Sequence, residues 1–399
     1  MKRENMINAK RVALIFSIAF VGAVLLVGYR AVAIKKMHIW FGDYFAKALF
    51  SAAEKPEPGT TRHLLVMFAD HFEPSGHMDY TAHWIDQFRR CRQRHIDADG
   101  RHPQHTFFYP AEQFLDTEIV MLTGICREGY GEIEVQLHHA GDTPTTLTAE
   151  LRKAIDDFSR HGCLVTATDP PDTVFGFVHG NWALDNSRMY RGADLCGVNN
   201  EISILRRLGC YADFTFPAIE TTAQPSIINA FYYATDDPVR PKSHDDGTPM
   251  KVGGTPSGDL LIMQGILTID WKDWSHIFYP SIESGNITHE TLPSTHRADV
   301  WIATNVHIPG RPEWTFVKLY CHGAVRADST AMWGAEMDAL FDYFETRYND
   351  GTNWMLHYVT AREMYNIARA AEAGHAGNPG KYRDYLIKPY RASSNTSGD

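Results

Sequence analysis

The sequence predicts an α/β protein built on a mainly parallel sheet, either open or closed into a barrel. From residue 62 onward, apolar runs of strand length alternate with segments of helical periodicity, and polar residues follow several of these runs directly. Strands that alternate with helices pair in parallel, because each helix carries the chain back across the sheet. With 399 residues, 44% of them hydrophobic, the chain can bury a large core and is not a disordered protein.

Charge and motif content exclude several classes of partner. Lys and Arg number 38 against 48 Asp and Glu, which gives a formal net charge of −10. Such a chain lacks the basic face that nucleic acid requires, so no nucleic-acid partner is expected. The sequence contains no G-x-G-x-x-G, Walker A or G-x-S-x-G motif, which argues against nucleotide binding and serine-hydrolase chemistry.

The first element is a predicted transmembrane helix in the N-terminal segment, residues 1–30. Residues 12–29 are 18 uncharged positions, and at ~1.5 Å per residue they match a bilayer core of ~30 Å. Basic residues are slightly more numerous before this run than after it, which favours a cytoplasmic N-terminus and a single-pass protein of the inner (cell) membrane. A cleaved signal peptide ending near residues 31–33 is the alternative, and both readings put the folded domain on the extracytoplasmic side.

Residues 31–61 are predicted to form a juxtamembrane helix and a linker. Aromatic and aliphatic residues recur at near-helical spacing in residues 37–53. This spacing predicts a short amphipathic helix that lies at the membrane or packs against the folded domain. Residues 54–61 contain two prolines and a glycine, which is typical of a linker.

The folded domain is predicted to begin with three strand–helix units. Its first strand is continuously apolar, and the helix after it carries Trp84, Phe88 and Cys91 on one stripe. A later helix has Glu150 in its first turn, where negative charge suits the helix dipole. In chain order the predicted strands are 63–69, 105–109, 132–138, 173–178, 211–216, 228–233, 260–269, 300–304 and 315–320. The predicted helices are 82–94, 111–127, 147–158, 201–208, 331–348 and 361–371.

These elements divide the chain into five segments. After the anchor and the linker, residues 62–326 form the main α/β domain, and residues 327–390 form C-terminal helices packed on it. The last residues, 391–399, are polar and are expected to be disordered.

The cysteines do not predict a small metal or redox module. None of the six belongs to a C-x-x-C pair, which argues against a zinc ribbon or a thioredoxin-like site. Cys196 and Cys210 are the closest pair in sequence and could form a disulfide outside the cytoplasm.

Polar clusters follow four of the predicted strands. Their sequences are Asp70-His71-Phe72-Glu73, His138-His139-Ala140-Gly141-Asp142, His179-Gly180-Asn181-Trp182 and Cys321-His322. In parallel α/β folds the catalytic groups lie just beyond the carboxyl ends of strands, so these clusters form the predicted site.

The residue types in these clusters predict a divalent metal site. Histidine and carboxylate are ligands that zinc prefers, and a catalytic ion keeps one position for water. The predicted cofactor is therefore a divalent ion, zinc by preference, held by Asp70, His138 and Asp142. His138 is chosen over His139 because it shares the polar face of its strand with Glu134.

The strand-end motifs resemble those of the polysaccharide deacetylase family of carbohydrate esterases. The family's first motif, a strand ending in Phe-Asp-Asp-Gly, resembles Phe68-Ala69-Asp70-His71, and its second, a strand ending in His-x-x-x-His, resembles residues 134–142. Residues 179–182 and 319–322 resemble the later motifs. The chain departs from the family at Ala69, where the family has its base Asp, and at Asp142, where it has the second ligand His.

The resemblance covers residues 62–326 and implies a distorted β/α barrel that holds a metal ion. Together with the predicted N-terminal anchor, it implies a membrane-anchored, metal-dependent hydrolase that removes acetyl groups from an envelope or exported polysaccharide. Glu73 or His71 would take a proton from the attacking water, and His322 would protonate the leaving group. Trp182 is predicted to stack on a sugar ring. The other predicted substrate-binding residues are His179, Asn181 and His139.

Two alternative functions stay open. A glycoside hydrolase on the same barrel would use two carboxylates, with Asp70, Glu73, Asp142 or Asp185 as candidates. A non-catalytic glycan-binding or assembly protein would keep the barrel without the base, and Ala69 is the residue that points to it.

Overall fold

The structure of the protein, a computed structural model, describes residues 22, 26, 28–30, 32–50, 54–166, 173–275 and 280–389. The predicted disordered tail at 391–399 lies outside the described residues, as does most of the predicted anchor at 12–29. In the described part of the chain, no helix has both the length and the apolar character needed to cross a bilayer.

Strands and helices alternate along the chain. The strands are β1 (Arg62–His71), β2 (His105–Pro110), β3 (Gly131–Leu137), β4 (Val165–Thr166), β5 (Thr173–His179), β6 (Met189–Tyr190), β7 (Ala193–Asp194), β8 (Cys210–Asp213), β9 (Phe231–Ala234), β10 (Gly247–Pro249), β11 (Leu260–Met263), β12 (Thr268–Asp270), β13 (Ser281–Glu283), β14 (Asn286–Ile287), β15 (Trp314–Cys321) and β16 (Trp354–Tyr358). The helices are α1 (Met37–Phe50), α2 (Met78–Arg92), α3 (Asp116–Arg127), α4 (Pro144–Arg160), α5 (Glu201–Arg207), α6 (Thr295–Thr304), α7 (Ala335–Arg347) and α8 (Ala361–Glu372). Short 3-10 turns lie at Ala111–Gln113, Leu184–Asn186, Ser243–Asp245, Ser329–Met332 and Pro379–Tyr382.

Most strands join one curled sheet that has the shape of a half-barrel. Ten of them follow one another in the order β10-β9-β11-β8-β5-β3-β2-β1-β15-β14, with β16 beside β1 and β4 beside β5. From β11 to β14 the neighbours on this path are parallel. Only at one edge of the path does β9 pair antiparallel with β10 and β11. The predicted α/β class and the mainly parallel sheet are therefore confirmed.

Strand β1, which pairs with β2, β15 and β16, is buried on both faces. On one face the ring of Phe68 stacks on that of His105, with centroids 5.7 Å apart. On the other face the ring of His71 lies against that of Trp182, with centroids 4.9 Å apart. Because successive side chains of a strand point to opposite faces, Asp70 lies on the Phe68 face and not on the His71 face.

Two predicted strands are wrong. Residues 260–269 form β11 and β12, which belong to different sheets, and residues 300–304 are the end of helix α6. The hydroxyl of Ser294 caps this helix by accepting a hydrogen bond from the Arg297 amide at 3.2 Å. Trp301 and Ile302 are buried on its inner face. The cap and the helical spacing of buried residues outweigh the strand preference of the β-branched side chains.

Helix α1 packs against the folded domain, which was one of its two predicted positions. Trp40 is fully buried and lies in a small apolar cluster with Ile228, Leu267 and Ile269. The opposite side of the helix leaves Phe45 exposed.

Two ionisable side chains, Asp213 and Lys318, are buried inside the sheet. Burial raises the pKa of Asp213 to about 7, and burial lowers the pKa of Lys318 to about 7. Thr215 Oγ1 donates a hydrogen bond to Asp213 at 2.7 Å, and Lys318 Nζ donates to the Phe216 carbonyl at 2.6 Å. Asp213 therefore keeps a proton in the folded protein over a pH range in which the unfolded chain has lost it.

We expect the Asp213→Asn variant to gain stability relative to the wild type as the pH rises from about 4 to about 7. In this window only the folded wild type holds the proton, so its stability falls by about 1 kcal/mol per pH unit, whereas the amide does not titrate. Urea denaturation at several pH values measures the difference. The exposed Asp156→Asn change is the control. A difference between Asp213→Asn and wild type that does not change with pH would contradict the expectation.

Candidate functional site

A cleft of about 960 Å³ opens beyond the carboxyl ends of β5 and β15. Trp182, three residues after β5, and His322, directly after β15, line it together with Arg188 and Tyr320. The cleft therefore lies at the edge of the sheet where parallel α/β folds carry their sites.

Three side chains converge at this edge, and we call them the mouth cluster: His71, Glu73 and His322. Each offers one ligand atom, and these atoms lie within 4.8 Å of one another. The ring of His71 is buried between those of Trp182 and His322, with centroids 4.9 and 4.7 Å away. Its Nδ1 atom is buried and has no hydrogen-bond partner among the described residues.

The electrostatics of the mouth cluster favour a neutral His71 beside a charged Glu73. Burial lowers the pKa of His71 well below its usual value, and the positive charges of His322, His138 and Lys318 lower it further. Burial opposes the charge of Glu73, but hydrogen bonds from His138 and Gln136 outweigh it and lower the pKa of Glu73. A neutral imidazole and a carboxylate are the forms that bind a metal ion.

His138 lies beside the mouth cluster, between two carboxylates. Its Nδ1 is 2.7 Å from Glu112 Oε1 and its Nε2 is 3.4 Å from Glu73 Oε1. Burial opposes its charge, but the hydrogen bonds to Glu112 and Glu73 prevail and raise the pKa of His138 to about 9. Only glycine fits at position 180, because a Cβ there would lie 2.4 Å from the His138 ring.

Glu112 belongs to this site but is not among the residues predicted from the sequence. It lies in the 3-10 turn Ala111–Gln113, directly after β2, and its Oε2 also accepts the His138 amide at 3.2 Å. It follows the end of β2 as Glu73 follows the end of β1. The rule that polar residues after strands form the site would have found it.

Asp70, a predicted metal ligand, faces away from the cleft. It is fully buried on the other face of β1, where His105 Nε2 donates to its Oδ2 at 2.8 Å. The Gly323 amide donates to its Oδ1 at 2.6 Å. Both carboxylate oxygens of Asp70 therefore accept hydrogen bonds from protein groups in the layer between the sheet and the helices.

Asp142, another predicted ligand, also has other partners. Its Oδ1 accepts a hydrogen bond from Thr146 Oγ1 at 2.7 Å, and its Oδ2 lies 3.2 Å from Nδ1 of His139. Asp70, His138 and Asp142 thus lie in three separate groups of contacts, and no ligand grouping in the described ranges contains two of them. The predicted ligand set is not assembled, because neighbouring side chains on a strand point to opposite faces and the chain turns after β3.

Two of the predicted substrate-binding residues are buried behind the cleft. His139 and His179 belong with Cys196 and Glu201 to a group that we call the buried cluster, with ligand atoms within 4.8 Å of one another. His179 is 0% exposed, so it offers no surface to a substrate. Asn181 Nδ2 donates to the His139 carbonyl at 2.9 Å.

Trp182 is the one predicted substrate-binding residue that lines the cleft. Its ring lies against those of His71 and His322, with centroids 4.9 and 5.3 Å away. Its stacking on a sugar stays a prediction.

The candidate carboxylates of a glycoside hydrolase do not meet in the cleft. Asp70 and Asp185 are both fully buried, and Asp185 accepts hydrogen bonds from the amide and hydroxyl of Ser243. Asp142 is held by Thr146. Of the four candidates only Glu73 belongs to the mouth cluster, so the pair that such a mechanism requires is not formed by them.

Several groupings of His, Cys, Asp and Glu in the described part of the chain could hold a metal ion, and the mouth and buried clusters are two of them. A scan of protein-family models and a search of curated proteins found no match to this chain. The chemistry of the cleft therefore carries the functional argument.

Proposed function

We propose that the protein is a divalent-metal-dependent hydrolase that removes acetyl groups from an envelope or exported polysaccharide. The observation that carries this proposal is the convergence of His71, Glu73 and His322 beside a cleft large enough for sugar rings. The resemblance of the strand-end motifs to those of polysaccharide deacetylases, with their distorted β/α barrel, supports the substrate class.

The mouth cluster fits a metal ion, and zinc above others. Two imidazoles and one carboxylate are a donor set that zinc has in hydrolases, and that set keeps a fourth position open. The buried, unpartnered Nδ1 of His71 supports this reading, because a buried polar atom without a partner is unfavourable unless something binds it. When bound there, a divalent ion lowers the pKa of a water molecule to about 7 and polarises a carbonyl oxygen.

The proposal changes the roles predicted for the mouth cluster. His71, Glu73 and His322 were expected to move protons, but their ligand atoms meet at one point, which suits coordination. His138, hydrogen-bonded to Glu112 and Glu73, is then the proton carrier beside them. It holds a proton beside the mouth cluster, from which a leaving sugar oxygen or nitrogen could take it.

The walls of the cleft favour a neutral or amino sugar over an anionic one. Three basic residues, Lys35, Arg188 and Arg297, line it, and they are outnumbered by carboxylates. The lining carboxylates are Glu220, Asp270, Asp273, Glu283 and Glu290. In the proposed arrangement residues 12–29 anchor the protein in the cell membrane, with the cleft on the extracytoplasmic side.

Metal analysis combined with acetate release tests the proposal. The full chain is purified, stripped with a chelator and reloaded with Zn²⁺, and acetate is measured on polysaccharides carrying N-acetyl or O-acetyl groups. We expect activity to disappear on stripping and to return on reloading. Absence of acetate release from every substrate by the zinc-loaded protein would refute the proposal, and glycan binding without turnover would favour the non-catalytic alternative.

We expect the Trp182→Ala variant to raise KM about tenfold, because loss of ring stacking removes about 1.4 kcal/mol of binding. Trp182→Phe keeps an aromatic face and should retain most of the binding. Trp274→Ala is the matched control, since Trp274 is exposed and does not line the cleft. Steady-state kinetics of acetate release measure the effect, and an unchanged KM in Trp182→Ala would exclude stacking on this ring.

A further inference from the structure

The buried cluster of His139, His179, Cys196 and Glu201 is separate from the mouth cluster. His139 Nε2 lies 3.1 Å from Glu201 Oε1, and His179 Nε2 lies 3.9 Å from the same oxygen. Cys196 Sγ lies 3.3 Å from Glu201 Oε2. A tetrahedral ion with ligand bonds of about 2.1 Å places its ligands about 3.4 Å apart, so these separations suit one ion.

The cluster is closed to solvent. Each of its four residues is at most 5% exposed. A catalytic ion needs an open position for water or substrate, whereas a structural ion is enclosed by four protein ligands. The burial of these four residues therefore points to a structural role.

One atom in the cluster has no partner. Nε2 of His179 is buried and forms no hydrogen bond within the described part of the chain. Its distance of 3.9 Å from Glu201 is too long for a hydrogen bond. An ion at the centre of the cluster would give this atom a ligand bond.

His139 already has the second hydrogen-bonding partner that orients a metal-binding histidine. Its Nδ1 lies 3.2 Å from Asp142 Oδ2, while its Nε2 points to the cluster. A carboxylate that accepts the Nδ1 proton leaves the lone pair of Nε2 for a metal ion. Asp142 thus has a positioning role through His139.

Backbone contacts between Cys196, Gly197 and Asp142 place Cys196 in the buried cluster. The Asp142 amide donates to the Cys196 carbonyl at 2.9 Å. The next residue, Gly197, has φ +96°, and a Cβ on it would lie 2.5 Å from the Asp142 nitrogen. Only glycine allows the backbone at position 197 to lie this close to Asp142. This contact holds Cys196 beside the end of β3.

We propose that His139, His179, Cys196 and Glu201 bind a structural divalent ion, zinc by the chemistry of the donors. A thiolate among two imidazoles and a carboxylate selects zinc over magnesium or calcium. On binding, the Cys196 thiol loses its proton to solvent, and so does Nε2 of His139, which donates to Glu201 Oε1 in this structure. The His179 ring proton moves from Nε2 to Nδ1, which breaks the 3.2 Å hydrogen bond from the Asn181 amide. The ion would join the ends of β3 and β5, the β7–α5 loop and the first turn of α5.

Cobalt spectroscopy on the full chain tests this proposal without reference to the hydrolase activity. The stripped wild-type protein is loaded with Co²⁺ and its absorption spectrum is recorded. We expect a thiolate-to-cobalt charge-transfer band and the strong d–d bands of tetrahedral cobalt. The mouth cluster contains no sulfur, but Cys321 lies with Asp70 and His105 in another grouping that could bind cobalt. The Cys321→Ser variant should therefore keep the band if the band comes from Cys196. Absence of this band in the loaded wild type would overturn the proposal, whether or not the protein releases acetate.

Variants locate the ion. We expect zinc content to fall by one ion per chain in Cys196→Ser and in Glu201→Gln, but not in Cys91→Ser, which changes a buried thiol outside the cluster. His71→Ala should keep the charge-transfer band even where it loses the ion at the mouth. If the Cys196 variant does not fold, the cobalt spectrum of Cys321→Ser still decides, because loss of the band in that variant would place the thiolate ligand at Cys321 and overturn the proposal. Equal zinc content in Cys196→Ser and Cys91→Ser would contradict the site.

Discussion

The His71→Ala variant is expected to lose the metal ion of the mouth cluster and to lower kcat/KM for acetate release by about 10³-fold, which corresponds to about 4 kcal/mol of transition-state stabilisation. His71 is the most buried of the three proposed ligands, and burial lowers its pKa so that the ring is neutral. Without His71 the mouth cluster would keep only one imidazole and one carboxylate to hold the ion. The loss should therefore appear in kcat as well as in metal content.

Three measurements accompany this variant. Zinc content is determined with acetate kinetics, and the cobalt charge-transfer band reports whether the buried cluster is intact. His71→Gln is a second variant that fills more of the space between Trp182 and His322, in case the alanine variant folds poorly. His83→Ala, on the exposed side of α2, is the control and should stay within about twofold of wild type. Retention of wild-type zinc content and activity in both His71 variants would exclude the proposed ligand role.

The Asp70→Ala variant is expected to lower the free energy of unfolding by about 3 to 5 kcal/mol. The carboxylate accepts hydrogen bonds from His105 and from the Gly323 amide, and both donors would be left buried without an acceptor. Its negative charge also offsets that of Arg92, which is fully buried. Removing it leaves an uncompensated guanidinium in the core.

Chemical denaturation followed by tryptophan fluorescence measures this change. Asp86→Ala is the matched control, because Asp86 pairs with Arg90 on the surface of α2, and its loss should cost less than about 1 kcal/mol. Asp70→Asn keeps the shape and one acceptor, so it should lose less stability than Asp70→Ala while keeping the wild-type zinc content. Loss of zinc from Asp70→Asn with little change in stability would return Asp70 to its predicted ligand role.

The strands around the site were predictable from the sequence. β1, β2, β3 and β15 are apolar runs with clear ends, and the predicted bounds differ from the observed ones by at most two residues. β16 was missed, although it pairs in parallel with β1. Its sequence, Trp-Met-Leu-His-Tyr, is short and has no glycine or proline directly beside it. Pairing with β1 stabilises it more than any local preference does.

The position of the site was predictable from the sequence, but the set of side chains that form it was not. Polar residues after strands led to Glu73, Trp182 and His322, which the structure brings to the cleft or to its edge. The same rule could not separate Asp70 from His71. β1 is apolar on both faces, so its sequence lacks the alternation that would show which side chain faces the cleft.

The order of the amino acids by itself determined most of the longer strands and helices, the mainly parallel sheet they form and the points along the chain where polar groups follow strands. These are mostly local properties. They depend on the periodicity of apolar residues, on the residues that begin and end each element, and on helices that carry the chain back across the sheet. Only the tertiary structure decided that His71 and not Asp70 faces the cleft, that Glu112 holds His138, and that Cys196 and Glu201 meet two histidines in the interior. Those contacts join residues up to about 250 positions apart, and their geometry depends on how the sheet curls and which face each helix covers.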